Sequence, residues 1–235
     1  MDPTIYKPSI YKGAGIYKAG AEGGGGVPEL PPEYKKLMYV YINANYESWF
    51  RYFYSHNSKD KLNLQMEMCL RDTFTSGSSS YEYYWAGNES ARYYVDFNNN
   101  RSYFKIGWGE SGSYLNTAYE AIERNKFVNI SFYVDDTNTL IVNYNGAQYT
   151  RSLTQKTENL CVFSYRDYYN YINTKLFSLT IYDGNTDKVK RQYIPVIRVA
   201  DSVPGIYDLI TGQFVRGKNA GGSNTNGISA GPIIE

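Results

Sequence analysis

The segment from residue 127 to residue 152 constrains the fold more than any other part of the chain. Apolar and polar side chains alternate there in two successive runs, the pattern of strands with one buried face. Asp135 to Asn138 supplies a turn between the runs, and Asn145-Gly146 is a dipeptide that accepts positive φ in a two-residue hairpin turn. The segment therefore predicts a three-stranded antiparallel meander. Its alternating apolar positions are Val128, Ile130, Phe132, Val134, Leu140, Val142 and Tyr144.

The chain from Tyr34 onward continues this pattern of strands and turns. The 27 Tyr, 10 Phe and 3 Trp favour sheets over helices, because large rings fit a half-buried strand surface. One segment, 115–126, allows either a short helix or a loop. About a dozen short strands fit one all-β domain, a two-sheet antiparallel sandwich or jelly roll. The further strands are predicted at 37–43, 49–55, 61–70, 81–85, 91–97, 102–108, 159–165, 174–183 and 188–195.

Residues 1–33 differ in character from the rest of the chain. An Ile-Tyr-Lys unit occurs there three times, and the run Gly23 to Gly26 forms a hinge before a proline-rich lead-in. Isolated Ile-Tyr pairs bury too little apolar surface to order themselves, so we expect an arm that orders only against a partner. A leader without a role is the alternative. The chain thus divides into an arm and linker, 1–33, and one folded domain, 34–235. The candidate anchoring residues are Ile5, Tyr6, Lys7, Ile10, Tyr11, Lys12, Ile16, Tyr17 and Lys18.

The balance of charge argues against one class of partner. The 24 basic and 23 acidic residues give a formal net charge of +1, so no net field draws the chain to nucleic acid or anionic lipid. The N-terminus lacks a basic start followed by an apolar core, and no uninterrupted apolar run is long enough to span a bilayer. We therefore expect a soluble protein that is made in the cytosol, without membrane insertion or a signal peptide.

Catalytic patterns are missing from the sequence. The single histidine, His56, lies in a polar, turn-like segment and is expected to be an exposed loop residue. The E-x-D-x-E pattern of β-sandwich glucanases does not occur. Glu67 and Asp72 are five residues apart and would point to opposite faces of a regular strand. The sequence predicts a protein that is not an enzyme.

No cofactor is predicted either. Cys69 and Cys161 are expected to be buried thiols or one bridge, and no Cys or His pair has the spacing of zinc ligands. Segment 183–187 lacks the glycine and the distal glutamate of a calcium loop, so a hairpin turn explains it better. Asp135 and Asp136 are the candidate calcium ligands, since some sandwich lectins hold calcium through loop aspartates.

The segment from residue 193 to residue 214 has the features of a domain end. Gly205 and Gly212 stand where tight turns would need positive φ, and Asp208 can cap a turn backbone. Tyr207 and Phe214 are expected to fill the sandwich between its sheets. These features need no functional explanation.

This segment also resembles the end of concanavalin A-like, laminin-G-like jelly-roll domains, which are common in tailed phages and in surface proteins of gut bacteria. The likeness brackets residues 30–234 and implies an antiparallel jelly-roll sandwich. One departure is that the family's S-D-G turn reads Ala200-Asp201-Ser202 here. The Ile-Tyr-Lys repeats resemble arms of some phage head and tail proteins, which plug an appendage into the particle. The matching segments are Leu30 to Tyr34, Lys175 to Asp183, Tyr193 to Pro195, Gly205 to Phe214, Asn219 to Gly221 and Gly231-Pro232.

Two functions follow from these features. The resemblance and the arm predict a phage virion structural protein, a head or tail decoration or fibre made in the host cytoplasm, with other virion proteins as partners and a trimer or dimer as its oligomer. The alternative is a lectin-like module for host-surface glycans, because exposed aromatic clusters can stack on sugar rings. These clusters are the runs at 81–85 and 165–171, and packing in the core explains alternate residues of each run equally well. The candidate ligand-binding residues are Tyr83, Trp85, Tyr168 and Tyr169.

Overall fold

A computed structural model gives the fold of the chain. It describes residues 29–42, 50–57, 60–68, 81–87, 91–98, 101–108, 114–116, 127–137, 139–144, 146–152, 157–162, 173–218, 223 and 227–234. These residues form β-strands and no helix, and they include no helix able to cross a membrane. The strands are β1 Tyr34–Lys36, β2 Val40–Ile42, β3 Phe50–Asn57, β4 Asp60–Met68, β5 Tyr81–Gly87, β6 Ala91–Asn98, β7 Arg101–Trp108, β8 Tyr114–Asn116, β9 Phe127–Val134, β10 Thr139–Tyr144, β11 Ala147–Ser152, β12 Thr157–Val162, β13 Thr174–Asp183, β14 Val189–Arg198, β15 Val203–Asp208, β16 Phe214–Arg216 and β17 Ile228–Ala230.

The strands form two antiparallel sheets. The large sheet runs in the order β11-β10-β9-β4-β13-β14-β15-β16, with β1 beside β14, and with β2 between β13 and β17. The small sheet runs β3-β12-β5-β6-β7-β8. In this sheet β4 pairs with β9 on one side and with β13 on the other, and both partners are distant from it in sequence. The middle of the large sheet therefore depends on contacts between distant parts of the chain.

The core lies on one face of the large sheet. On β4, Leu62, Leu64 and Met66 are buried, and the alternating residues between them are only partly buried. The same alternation continues into the neighbouring strands, where the buried partners in register are Ile130, Val128, Leu176, Leu179 and Ile181. The opposite face of these strands therefore carries the polar residues.

One polar network joins the two sheets. Tyr54 of the small sheet donates its hydroxyl proton to Asp60 Oδ2 at 2.7 Å, and Lys190 Nζ lies 2.6 Å from Asp60 Oδ1. The Arg191 guanidinium lies 5.6 Å from the centre of the Tyr54 ring. Burial, assisted by the neighbouring carboxylate of Asp60, raises the pKa of Tyr54 well above its usual range, so the phenol stays protonated as the donor.

The predicted meander is confirmed as β9, β10 and β11. Gly146 has φ 90, as the hairpin prediction required, whereas Asn145 lies outside the described residues. The remaining strand predictions are also confirmed, with shifted ends. The strand predicted at 188–195 continues to Arg198, because residues 196–198 pair with β15 on one side and with β1 on the other. Pro195 lacks an N–H but still accepts from the Leu37 N–H at 2.9 Å.

The segment 115–126, for which the sequence left a short helix or a loop open, begins as neither of these but as a strand. Leu115 and Asn116 belong to β8 and pair with Ile106 and Lys105. Residues 117–126 lie outside the described part of the chain.

The two glycines of the closing segment serve different purposes. Gly212 has φ 72, as predicted for a tight turn. Gly205 lies within β15 without positive φ, so that prediction is wrong. A Cβ at Gly205 would come within 2.5 Å of the Val215 carbonyl and 2.7 Å of the Phe214 ring, so glycine is needed for close approach instead.

The aromatic pair of the closing segment lies elsewhere than predicted. Tyr207 and Phe214 are paired across β15 and β16, and both rings contact Tyr34, at centroid distances of 4.8 Å and 5.4 Å. Tyr207 belongs to a cluster with Ile194 and Val196. The register places that cluster on the other face of the strands from Tyr193 and Ile206, so the two rings pack beneath the lead-in rather than between the sheets.

Candidate functional site

The face of the large sheet opposite the core, called the polar face below, carries a row of amide and hydroxyl side chains. The row crosses six strands in register, so each strand contributes one polar side chain about 4.8 Å from the next. Such a row presents hydrogen-bond donors and acceptors side by side. Its members, from β11 to β14, are Gln148, Asn143, Ser131, Asn63, Thr180 and Gln192.

The middle of the polar face is a depression of about 380 Å³. Asn63 Oδ1 is buried there, and no described residue donates a hydrogen bond to it. Asn143 Nδ2 reaches Ser131 Oγ at 3.4 Å, a long and therefore weak bond. Each amide carries a donor and an acceptor on adjacent atoms, so a depression lined by three of them is suited to an incoming hydroxyl group. The lining residues are Lys61, Asn63, Asn129, Ser131, Asn143, Gly146 and Tyr182.

Two tyrosine rings lie around Lys61, and one of them, Tyr182, lines the depression. Lys61 Nζ lies 5.7 Å from the centre of the Tyr133 ring and 5.9 Å from that of Tyr182. The same ammonium lies 3.4 Å from Asp187 Oδ1. The two rings and the carboxylate therefore hold the lysine and partly balance its charge.

Of the candidate ligand-binding residues predicted from sequence, the structure describes two, and their strand is in the other sheet. Tyr83 and Trp85 are on β5, in the small sheet, where the register shifts between Tyr84 and Ala86, so alternation cannot be counted through Trp85. Tyr168 and Tyr169 lie outside the described residues, as do all nine Ile, Tyr and Lys residues of the arm. The roles of these residues stay predictions.

The acidic side chains considered as metal ligands support turns. Asp135 Oδ1 accepts from the backbone N–H groups of Thr137 and Thr139 at 2.8 Å and 2.9 Å, and Asp136 is exposed. Asp183 Oδ1 accepts from the backbone of Asn185 and Thr186, which confirms the hairpin turn between β13 and β14. Across the described ranges, no three His, Cys, Asp or Glu side chains come together as metal ligands would.

Of the residues considered for catalysis, the structure describes His56 and Glu67, which lie on strands of different sheets. His56 is in β3 opposite Glu158, rather than in a loop as expected. Glu67 Oε1 lies 2.7 Å from Lys175 Nζ on the polar face, and Asp72 lies outside the described residues, as does Cys69. Cys161 is in β12. The pairing of the cysteines stays open.

The sequence analysis found the part of the polar face that β9 contributes, but it did not recognise it as a site. Asn129, Ser131 and Tyr133 were recognised as the polar positions of a half-buried strand. Asn63 and Thr180 also alternate with apolar residues, a signal that was available. Their position beside Ser131 depends on how distant strands pair, which periodicity does not specify.

One solved structure of similar fold, from Bacteroides ovatus, agrees with this architecture. The fold is a concanavalin A-like jelly-roll sandwich. A proposed carbohydrate-binding protein from Bacteroides ovatus matches with a TM-score of 0.52 and 11% identity over 85% of this chain and 61% of its own, so the chain spans about three fifths of that protein. A native heptameric SAP-like pentraxin from Limulus polyphemus matches with a TM-score of 0.39 and 9% identity, over 66% of this chain and 72% of its own. No protein-family model and no curated protein sequence matches the chain.

Proposed function

We propose that this chain is a lectin-like carbohydrate-binding module whose binding surface is the polar face of the large sheet. The observation that carries the proposal is the depression itself, where the amides of Asn63, Asn129 and Asn143 line one hollow of the polar face together with the Ser131 hydroxyl. The fold is shared with the Bacteroides ovatus protein, which is itself a proposed carbohydrate-binding protein. That likeness supports the proposal, and the chemistry of the face gives its physical reason.

The chemistry of the polar face suits sugar hydroxyl groups. Each hydroxyl both donates and accepts a hydrogen bond, and an amide side chain offers both functions on adjacent atoms. Asn63, Asn129 and Asn143 line one depression with Ser131, so several neighbouring hydroxyls could be satisfied together. The Tyr182 ring at the border supplies an apolar surface for the C–H groups of a sugar.

The charges of the polar face favour a neutral glycan. Lys61 and Lys175 each lie within reach of a carboxylate, Asp187 at 3.4 Å and Glu67 at 2.7 Å. Because these lysines are already paired, an acidic sugar would gain less from them than from free cations. An amide-rich surface with balanced charge is therefore expected to select for hydroxyl geometry rather than for charge.

We also propose that the module binds without cleaving its ligand. Among the described residues, no carboxylate lines the depression, whereas glycoside hydrolysis ordinarily uses two carboxyl groups on either side of one bond. Incubation of the full chain with each bound oligosaccharide, followed by mass spectrometry, should return the oligosaccharide intact. A new reducing end that appears in proportion to protein concentration would contradict this part of the proposal.

The binding proposal is tested with an array of neutral and acidic oligosaccharides, followed by calorimetry on the best-bound neutral glycan. Asn63→Ala and Asn143→Ala should each weaken binding by roughly three- to tenfold, since each removes one or two hydrogen bonds to the ligand. Gln213→Ala, an amide truncation at an exposed position in the loop between β15 and β16, is the matched control and should leave affinity unchanged. An array without binding, or equal losses in all three variants, would refute the proposal.

A virion role remains a second proposal, supported by the sequence of the arm. The repeated Ile-Tyr-Lys units resemble phage docking arms, and a glycan-binding domain displayed on a particle would agree with both functions. The test is incorporation of the full chain and of a chain lacking residues 1–26 into purified particles, measured by mass spectrometry. Retention of the full chain alone would support anchoring by the arm. Equal retention would contradict it. Light scattering of the free chain would test the expected dimer or trimer.

A further inference from the structure

Three aromatic rings, one exposed and two partly buried, form a cluster at the end of the polar face, called the aromatic platform below. Phe127 begins β9, Phe177 lies on β13, and Tyr39 lies between β1 and β2. The Phe127 and Phe177 centroids are 5.4 Å apart, and those of Tyr39 and Phe177 are 5.6 Å apart, both edge to face. Phe127 nevertheless keeps 41% of its surface exposed, which is a high fraction for a ring already packed on one side.

The platform is held in place by its surroundings. Gly231 lies against Tyr39, where a Cβ would come within 2.6 Å of the Tyr39 carbonyl and 2.8 Å of its ring. Lys175 Nζ lies 5.3 Å from the centre of the Tyr39 ring and forms the ion pair with Glu67. The rings are therefore preorganised next to a polar pair rather than loosely exposed. Gly231-Pro232 is one of the segments that resemble jelly-roll domains, and here its glycine leaves room for the Tyr39 ring.

The platform is continuous with the depression. Phe127 lies on the same face of β9 as Asn129, which lines the depression, and Ser178 of β13 donates to Gln65 between the two regions at 3.0 Å. Asn129 is two positions after Phe127, which is roughly 7 Å along a strand, and Tyr133 is six positions after it, roughly 20 Å. One ligand several sugar units long could therefore contact both regions without leaving the face.

We propose that the aromatic platform is a second subsite, which binds the distal sugar of an extended neutral glycan whose other end occupies the depression. This inference rests on the proposed function and names its ligand more closely. A pyranose has a C–H face that stacks on aromatic rings and an edge of hydroxyls that can reach Lys175 and Glu67. Along β9 the aromatic ring of Phe127 is followed by the amide of Asn129. Successive sugar units of one glycan could therefore contact first the ring and then the amide.

The test compares ligand lengths. Calorimetry with the disaccharide, tetrasaccharide and hexasaccharide of the neutral glycan that the array selects should show the hexasaccharide binding the wild-type chain several-fold tighter than the disaccharide. Phe127→Ala should weaken hexasaccharide binding about three- to tenfold and leave disaccharide binding unchanged. Phe127→Leu, which keeps an apolar side chain without the ring, should lose most of the same factor. Ile210→Ala, at an exposed apolar position outside the polar face, should have no effect.

The outcomes separate this inference from the proposed function. Suppose that disaccharide affinity falls in Asn63→Ala, but that affinity changes neither with glycan length nor in Phe127→Ala. The second subsite is then refuted and the proposed function stands. If Phe127→Ala weakens every ligand equally, or changes the oligomeric state instead of binding, the platform is not a subsite. If no saccharide binds the wild-type chain, the proposed function falls, and this inference falls with it. Thermal unfolding of both Phe127 variants, expected close to wild type, shows that the comparison is between folded proteins.

Discussion

Asp208 allows the sharpest prediction about stability. Its side chain has no exposure to solvent, and Oδ1 accepts from the backbone N–H groups of Gln192 and Ile210, each at 3.0 Å. Oδ2 accepts from the Thr211 hydroxyl at 2.5 Å and lies 3.3 Å from Arg191 Nε. One carboxylate thus joins β14 to the turn that follows β15.

Two substitutions at Asp208 should separate these contacts. Asp208→Asn keeps one acceptor for the backbone groups but turns an amide donor toward Thr211 and Arg191. It should therefore cost about 2–3 kcal/mol of unfolding free energy, the value of a hydrogen bond to a charged group. Asp208→Ala also removes the other acceptor and leaves a guanidinium without its buried partner, so about 3–5 kcal/mol is expected. For a domain of this size, the Asn variant should melt roughly 4–12 °C lower.

Urea unfolding at neutral pH, followed by tryptophan fluorescence, measures both changes. Asp136→Asn makes the same substitution at an exposed turn position and should shift the unfolding free energy by less than about 0.5 kcal/mol. If Asp208→Asn is as stable as the wild type, the argument from the buried carboxylate is refuted. If it is stable but no longer binds the glycan, the aspartate serves the ligand and not the fold.

Three further predictions concern single positions. Gly205→Ala should destabilise the domain by about 1–3 kcal/mol, because the new Cβ meets the Val215 carbonyl; a urea midpoint equal to wild type would contradict this. Ser202→Gly should stabilise by about 0.5–1 kcal/mol, because Ser202 has φ 56, and a lower midpoint would contradict it. Hydrogen bonds from Lys190 and Thr186 lower the pKa of Asp183, so its stabilising contribution is present above its unfolded pKa and is lost as pH falls through the lower folded pKa. Asp183→Asn should flatten that acid dependence in urea titrations across pH, and an unchanged slope would contradict it.

The residues that sequence placed correctly are those whose conformation is decided by near neighbours. The meander from β9 to β11 follows from a two-residue alternation, and Gly146 and Gly212 follow from turns that need positive φ. Asp208 caps its turn as expected, through the Ile210 N–H. Each of these depends on a stretch of a few residues, over which backbone geometry limits the choices.

The wrong predictions concern residues whose role depends on a contact with a distant part of the chain. Gly205 has an ordinary strand conformation, and it is required because the backbone of β16 approaches closely. Tyr207 and Phe214 were correctly recognised as large packing residues, but their partner is Tyr34, at the other end of the domain. No local pattern identifies such a partner.

The sequence by itself determined that the chain forms antiparallel strands with one apolar and one polar side, closed by turns at predictable glycines and aspartates. The tertiary structure decided which polar sides stand next to one another. Asn63, Ser131 and Thr180 are far apart in the chain, and they become neighbours because β4 pairs with both β9 and β13. The physical reason is that alternation is a property of a single strand, whereas strand pairing depends on burial of apolar side chains across the whole domain.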